Sequence, residues 1–540
     1  MKKFLLLFAS LICLIGVAAA QDVVGSALKV PSTYDRSSLT YLVLDYPSAN
    51  HFNFVRNNVG KIAFSDKFYN NNLPNFFIPA PYAKDYIGFN KAQLILEAIQ
   101  KKRVANDIVA KWYSMNSDGM MTLDLIHSRG MFNATDEAYL QSKTTKRGNA
   151  QLEDYGNRLI DRSYIVVIDY YDIKTMQEAN VKDSRGWKSG FQAYLYKIDY
   201  NEGIQNLIYD NWIYEDDTPA VKADKRAALK KLEIPVVFVK NVMLSATESE
   251  STKSSTINVL GSKKPRTEDE LMAAVLQKSY DEVLYNLEMG VEHFKVVTSI
   301  FAVRPIRAKI GKKEGIKTDN RYFAYEYVYD QERDITQQKF RGVIRATKKI
   351  ADNVHVATGK SPTTEFYQTS GRKMETGYLL QQKNDFGAEL SVGFEVGEIG
   401  GIYGRLDLRL GRYIGSRALF VLLEGGYESK NYGFDYKFTR YGVGVAKGLQ
   451  LTRNSELRPY ISLGIEETKN PNDLKLSTVY YKGGATLNIN IKHNIQIFGG
   501  AGYYITGSGK DANGLDIGDW DSKFTDRSGL SFIGGLKLGF

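Results

Sequence analysis

From Asp385 to the terminal Phe540 the chain divides into about eight segments in which apolar and polar residues alternate one for one. A two-residue period puts successive side chains on opposite faces of a β-strand. The first segment sets Phe386, Ala388, Leu390, Val392, Phe394 and Val396 against Gly387, Glu389, Ser391, Gly393 and Glu395. The second sets Leu406, Leu408 and Leu410 against Arg405, Asp407, Arg409 and Gly411. Others fall near Ala418–Tyr427, Phe434–Leu449, Arg458–Glu466, Lys482–Ile491 and Ile495–Ile505. In the last segment Leu530, Phe532, Leu536, Leu538 and Phe540 share one parity, while Ser531, Gly535, Lys537 and Gly539 share the other. Tilted strands of roughly 9–11 residues are what a bilayer requires.

Periodicity does not say which face is inside, so two architectures remain open. In a soluble sandwich or lipocalin-like barrel the leucines fill the interior. In a membrane barrel they face lipid and the charges face a lumen. The spacing of the joins favours the membrane. Joins two, four and six (Tyr413–Arg417, Leu451–Glu456, Lys492–Asn494) read as tight, and joins three, five and seven as longer, with Gly507–Ser528 the longest. Short turns at one mouth and long loops at the other are the membrane-barrel asymmetry. Tyr403, Tyr413, Tyr427, Tyr436 and Tyr503 lie near strand ends, where an aromatic girdle is expected. The closing strand ending on Phe540 resembles that of small, about eight-stranded bacterial outer-membrane β-barrels. The resemblance implies that Phe540 serves as an assembly signal for the barrel-assembly machinery, and that outer-membrane lipid surrounds the barrel. An even strand count leaves both barrel ends in the periplasm, with everything before Asp385.

The start of the chain agrees. Lys2 and Lys3, the apolar run Phe4–Val17 and Ala18-Ala19-Ala20 read as a signal peptide over residues 1–20. Cys13 is the only cysteine, and Ile12 before it does not suit a lipoprotein signal, so the mature chain is expected to lack disulfides. The formal charge of +10 falls to +8 without Lys2 and Lys3. It is spread without a basic block, which argues against a nucleic-acid partner. No later stretch approaches about 18 consecutive apolar residues.

A membrane barrel turns Glu389, Glu395, Arg405, Asp407, Arg409, Glu424, Glu466, Lys482 and Lys537 into its lumen. Eight strands leave only enough interior for side chains to fill. Opposite charges there must pair, so a closed, salt-bridged plug is expected rather than an ion path. Lys537 is expected to face Glu389 or Glu395, because the last strand closes on the first. His493 is the only barrel histidine and falls in a turn, which argues against acyl-transfer or proteolytic chemistry. In join seven, Asp511, Asn513, Asp516, Asp519 and Asp521 are candidate ligands for Ca²⁺ around Gly514. Their order does not match the EF-hand loop, and a solvated acidic loop is the other reading.

Residues 21–305 read as a mixed α/β periplasmic region, 306–382 as a small β-domain and 383–540 as the barrel. Strands are expected at Leu39–Leu44, Lys61–Phe64, Tyr164–Asp172, Phe191–Asp199, Pro235–Met243 and Phe294–Val303. Helices are expected from Asn90 to about Tyr113, within Asp136–Ile160, over Val221–Leu232, and after the capping box Thr267/Glu270 to about Met289. Ala246–Lys264 reads as a linker. Ile310-Gly311-Lys312-Lys313-Glu314-Gly315-Ile316, the aromatic strand Tyr322–Tyr329 and the later Gly-led strands resemble small β-domains of envelope-assembly proteins of the curli-secretion and flagellar-ring type. The mature chain has no Walker A, dinucleotide, Gly-x-Ser-x-Gly or His-Glu-x-x-His motif, and no cofactor is implied. The run Glu215-Asp216-Asp217 reads as a solvated turn. The chain is therefore expected to be an outer-membrane anchor that docks an unidentified periplasmic envelope protein or scaffolds an assembly. A tethered carboxylate-dependent hydrolase and a narrow pore are the alternatives.

Overall fold

A computed structural model describes residues 36–540 apart from 72, 135–138, 140–141, 143–147, 252–264, 331–334, 355–360, 384, 470–474 and 526. The signal peptide and most of the expected linker lie outside the described residues. Three sheets follow one another along the chain. The first is mixed. Ser38–Asp45 runs parallel to Ser163–Thr175, with Ser38 opposite Ser163 and Val43 opposite Ile168. Ser184–Ile198 and Val236–Ser251 continue the sheet antiparallel. Every residue from Ser163 to Tyr170 is buried, because helices cover both faces of that strand. On one face the long helix Glu268–Gly290 buries Leu271, Val275, Val283 and Leu287, with the Thr267/Glu270 capping box formed. On the other, Tyr196 donates to the Ala92 carbonyl of Lys91–Lys101.

Local expectations failed where another element supplied the missing partner. Lys61–Phe64 is no strand: both backbone groups of Ala63 are taken by the side chain of Gln277. The helix expected from Asn90 breaks into Lys91–Lys101 and Val104–Trp112 at Arg103, whose φ is 53°. Arg103 there donates to the Leu232 carbonyl, and the second segment turns Ile108 and Trp112 into the core. Asn90 makes no side-chain cap, since its carboxamide oxygen accepts from Tyr86. The helix expected within Asp136–Ile160 runs over Gly148–Asp161 and carries Gly156 at a helix crossing. A Cβ there would lie 2.3 Å from the Ile126 carbonyl of the neighbouring helix, so only glycine permits the crossing.

The small β-domain has a seven-stranded antiparallel sheet. It begins at Val297–Ser299, ahead of the expected boundary, because that short strand pairs with Leu379–Gln381 at the sheet edge. No strand runs continuously over Phe294–Val303.

The C-terminal sheet closes into an eight-stranded barrel: β1 (Ala388–Gly397), β2 (Gly401–Arg409), β3 (Leu419–Asn431), β4 (Asp435–Lys447), β5 (Ser455–Lys469), β6 (Lys475–Asn490), β7 (Ile495–Asp511) and β8 (Gly529–Gly539). β8 pairs antiparallel with β1 from Gly539 opposite Glu389 to Ser531 opposite Gly397. The apolar parity faces out. Phe394 and Val396 are 68% and 60% exposed, whereas Glu389 and Glu395 are 7% and 2% exposed. Ile461, Leu463, Val479, Ile505, Phe532 and Leu536 continue this belt round the wall. A water-soluble barrel would place these groups inside, so the outer surface is that of a transmembrane barrel.

Join lengths depart from expectation. β3 and β4 run on until only 432–434 separate them, while join two spans 410–418 and contains the helical turn Gly411–Ile414. Tyr413 and Tyr503 are exposed, but Tyr403 is buried in the lumen and Tyr436 packs on Phe524. Leu463→Arg places a charge in the middle of the belt. It is expected to destabilise the barrel by roughly 2–4 kcal/mol in urea unfolding from bilayers, whereas Lys437→Gln on the exposed rim should be near neutral.

Candidate functional site

The alternation that turns leucines to the outside loads the interior with charge. Toward the mouth where the chain enters β1, Arg458 lies between three acids, 2.7 Å from Glu389, 2.9 Å from Asp407 and 2.6 Å from Glu456. Arg405 Nε donates to Asp407 at 2.6 Å, and Arg409 lies 3.2 Å from Glu389. Lys537 on β8 sits 3.4 Å from Asp407 and 3.8 Å from Glu389. Toward the far mouth Lys482 meets Glu395 at 2.6 Å, and Arg440 reaches Glu395 and Glu428 at 3.4 Å and Glu466 at 3.8 Å. Between the two clusters Glu424 accepts from Ser462 at 2.6 Å, Tyr480 at 3.1 Å and Tyr403 at 3.4 Å. Glu389, Glu395, Asp407, Glu424, Glu428, Glu456 and Glu466 stand against Arg405, Arg409, Arg440, Arg458, Lys482, Arg527 and Lys537, so these luminal charges cancel.

The chain itself seals both mouths. At the far one, join seven folds inward: Trp520 and Phe524 are buried against Phe438 and Leu476, and Trp520 Nε1 donates to Glu466 at 2.8 Å. Arg527 pairs with Glu466 and Glu428 and lies 4.0 Å above the Phe438 ring. The candidate cation ligands of this join hold its turns. Asp511 accepts from the backbone of Asn513 and Leu515, Asp516 from Gly518, Asp519 from Ser522, and Asp521 from Arg527 and Ser528. Among the described residues no group of three or more His, Cys, Asp or Glu is arranged to hold a metal ion.

At the entry mouth the small β-domain supplies the seal. Asp319, fully buried, accepts from the Ala418 backbone at 2.8 Å, from the Tyr367 hydroxyl at 2.7 Å and from Arg409 at 3.4 Å. A Cβ on Gly411 would stand 2.0 Å from that carboxylate, so join two needs glycine there. Arg345 binds Asp385 at 2.5 Å and the Asp319 carbonyl at 2.8 Å. Asn490 donates to Thr369 O and Gly371 N to Asn454. The His493 ring packs on Phe323 and Phe340 at 5.1 and 5.6 Å, so this histidine belongs to the seal. A cavity of about 40 Å³ remains between Arg345, Asp385, Arg409, Arg458 and His493. Phe540, the expected assembly signal, borders this cavity and donates its backbone N–H to Ala388.

The N-terminal region holds a groove of about 1070 Å³ beside Phe77–Pro79, lined in part by Asp45, Arg56, Asp107 and Lys111. Asp45 is engaged by Arg56 through two bonds of 2.8 and 2.7 Å. Asp217 of the acidic run binds Lys225 at 2.8 Å. The buried Asp169 accepts from Tyr46 and Tyr82 at 3.0 Å. Burial, with that carboxylate second, pushes both phenols far above their ordinary range.

Sequence reading missed Glu428, Arg440, Glu456, Arg458, Arg527 and Asp319. The first four were within reach: Glu428 shares the parity of Glu424 on β3, Arg440 that of Phe438 on β4, and Glu456 and Arg458 that of Tyr460, Ser462 and Glu466 on β5. Arg527 lies in a loop and Asp319 in another domain, where period-two patterning is silent.

Asp319→Asn leaves Arg409 short of a buried partner and is expected to destabilise the seal by about 3 kcal/mol. Limited proteolysis near residue 385 should accelerate while the barrel keeps its heat-modifiable migration. Burial opposes charge on Asp385, but Arg345 and Arg321 overcome it and hold the carboxyl well below the usual range. Its contribution is therefore complete above about pH 4 and is lost as pH falls through the folded-state value. Acid titration of the wild type should loosen the seal progressively below that point, and Asp385→Asn should flatten the profile.

No protein-family model matches the chain, and no curated protein matches it. Among solved structures, a major outer membrane protein from Thermus thermophilus is 14% identical, covering 28% of this chain and 99% of its own, with a TM-score of 0.19. Ail, the attachment invasion locus protein of Yersinia pestis, is 12% identical over 28% of this chain and 97% of its own, with a TM-score of 0.20. The outer membrane protease OmpT from Escherichia coli is 10% identical over 46% and 96%, with a TM-score of 0.13. The transmembrane reading of the barrel rests on its own outer surface.

Proposed function

We propose that this chain is an outer-membrane protein whose barrel is a closed anchor and whose N-terminal region, held in the periplasm, docks an envelope partner or organises an assembly without enzymatic chemistry of its own. The observation that carries this reading is the charge-balanced lumen, stoppered at one mouth by join seven and at the other by Asp319 and its sheet. A conduit would need both stoppers to leave, and each is tied down by buried ion pairs.

The N-terminal region offers groups suited to docking. The small β-domain meets it near the amino end of Ser38–Asp45, where Lys313 donates to the Phe132 carbonyl and Arg36 stacks on the same ring. Ala80 binds the Asp45 carbonyl at the opposite end of that strand. The two ends of this eight-residue strand lie about 23 Å apart. Past Ala80 in the chain, Ile87 is 98% exposed and Phe89 fully exposed. Two large apolar side chains held in water at one loop tip suit burial in a partner. The resemblance of 306–382 to envelope-assembly domains points the same way.

Purified protein in planar bilayers is expected to show no steady conductance. A tagged full-length copy should retain an envelope protein that is lost on Ile87→Asp/Phe89→Asp. Steady single-channel currents from the intact chain, or hydrolysis of a glycan or peptide abolished by substituting a single acid, would overturn the reading.

A further inference from the structure

The two rims of the barrel differ in charge. The entry-side joins 410–418, 448–454 and 491–494 contain Arg412, Arg417, Arg453 and Lys492 and no acid. The far-side joins contain Glu398, Asp473, Asp516, Asp519, Asp521 and Asp526 against Lys523 and the buried Arg527. Strand ends add Lys447 of β4 to the entry rim, and the exposed Lys348 of the small β-domain joins it, whereas at the far rim Lys430, Lys437, Lys469, Lys475 and Lys510 are interleaved with Asp435, Glu467 and Asp511. Asp319, Arg417 and Lys348 all lie within electrostatic reach of Lys447, and the one acid is already taken by Arg409. Lys447 donates to Ser416 Oγ at 3.0 Å, and the Arg417 guanidinium stacks on Tyr367 at 4.5 Å. Among the described residues none of Lys348, Arg417, Lys447, Arg453 and Lys492 has a carboxylate within 4.0 Å.

These bases sit at the edge of the lipid-facing belt. Tyr413 and Ile414, 75% and 56% exposed, precede Arg417 in the same join. Leu451 stands two residues before Arg453, and Ile491 adjoins Lys492, both leucine and isoleucine exposed. In a transmembrane barrel this is the depth of the headgroups. A ring of bases without a carboxylate in contact at that depth is complementary to anionic headgroups. It also resolves a repulsion, because Lys348 belongs to the seal while Arg417 and Lys447 belong to the wall.

We propose that the entry rim binds the headgroups of anionic phospholipids, and that a headgroup phosphate shared by Lys348, Arg417 and Lys447 fastens the small β-domain to the barrel. The proposal rests on the transmembrane reading of the barrel and is independent of what the N-terminal region docks.

The test uses full-length protein in a neutral detergent, titrated with phosphatidylglycerol or phosphatidylcholine and followed by native mass spectrometry and thermal unfolding. Phosphatidylglycerol is expected to be retained and to raise the unfolding midpoint, with both effects weakened at high salt. Phosphatidylcholine should do neither. Lys348→Gln/Arg417→Gln/Lys447→Gln should weaken phosphatidylglycerol retention by about tenfold or more, whereas Lys437→Gln/Lys510→Gln on the far rim should leave it unchanged. Equal retention of the two lipids by the wild type, or unaltered retention by the triple variant with heat-modifiable migration intact, overturns the proposal. Failure of the wild type to show heat-modifiable migration in detergent would instead overturn the transmembrane reading.

Discussion

A charge inside an eight-stranded barrel has nowhere to go. Lipid surrounds the wall, the interior is too narrow for bulk water, and an isolated buried ion is prohibitively costly. Every luminal charge must find a partner, and several of the pairs here cross the lumen instead of joining neighbouring strands. Arg458 on β5 reaches Glu389 on β1 and Asp407 on β2, and Lys482 on β6 reaches Glu395 on β1. Lys537 on β8 reaches across the closing seam to Asp407 on β2. Such pairs tie together strands that the backbone ladder leaves apart. A one-residue slip of any strand would send its charges into lipid and its leucines into the ion network.

Pairing also explains what was legible in the sequence and what was not. Period-two alternation is a property of each strand alone, so the outward face of β1 and the inward face holding Glu389 and Glu395 could be read directly. Even the approach of Lys537 to Glu389 followed once closure of the last strand on the first was assumed. Strand ends are different, since they depend on what lies beyond them. Join two is long because it wraps Asp319, which lies 90 residues before Arg409 in the chain. Join seven reads as a solvated acidic loop until Trp520 and Phe524 find Phe438, whose side of the wall no local pattern discloses. The same holds upstream, where Gln277 replaces a strand partner at Ala63 and Leu232 fixes the break at Arg103.

The constraint does not stop at the barrel wall. Glu424 is satisfied by three hydroxyls, which leaves Arg409 at the entry mouth sharing Glu389 with Arg458 and Lys537. The additional carboxylate comes from Asp319, and with it comes the sheet that carries Asp319. Arg345 on that sheet binds Asp385, whose carbonyl in turn accepts from Tyr285 on the long helix of the N-terminal region. Buried electrostatics in the membrane thus determines where a domain outside it must sit. Because the seal completes the charge pairing of the wall, removing it would expose Arg409 and the ends of β1 and β2 together. A barrel closed this way holds the small β-domain by the interactions that keep its own lumen shut, so the seating of that domain and the closure of the barrel are one structural requirement.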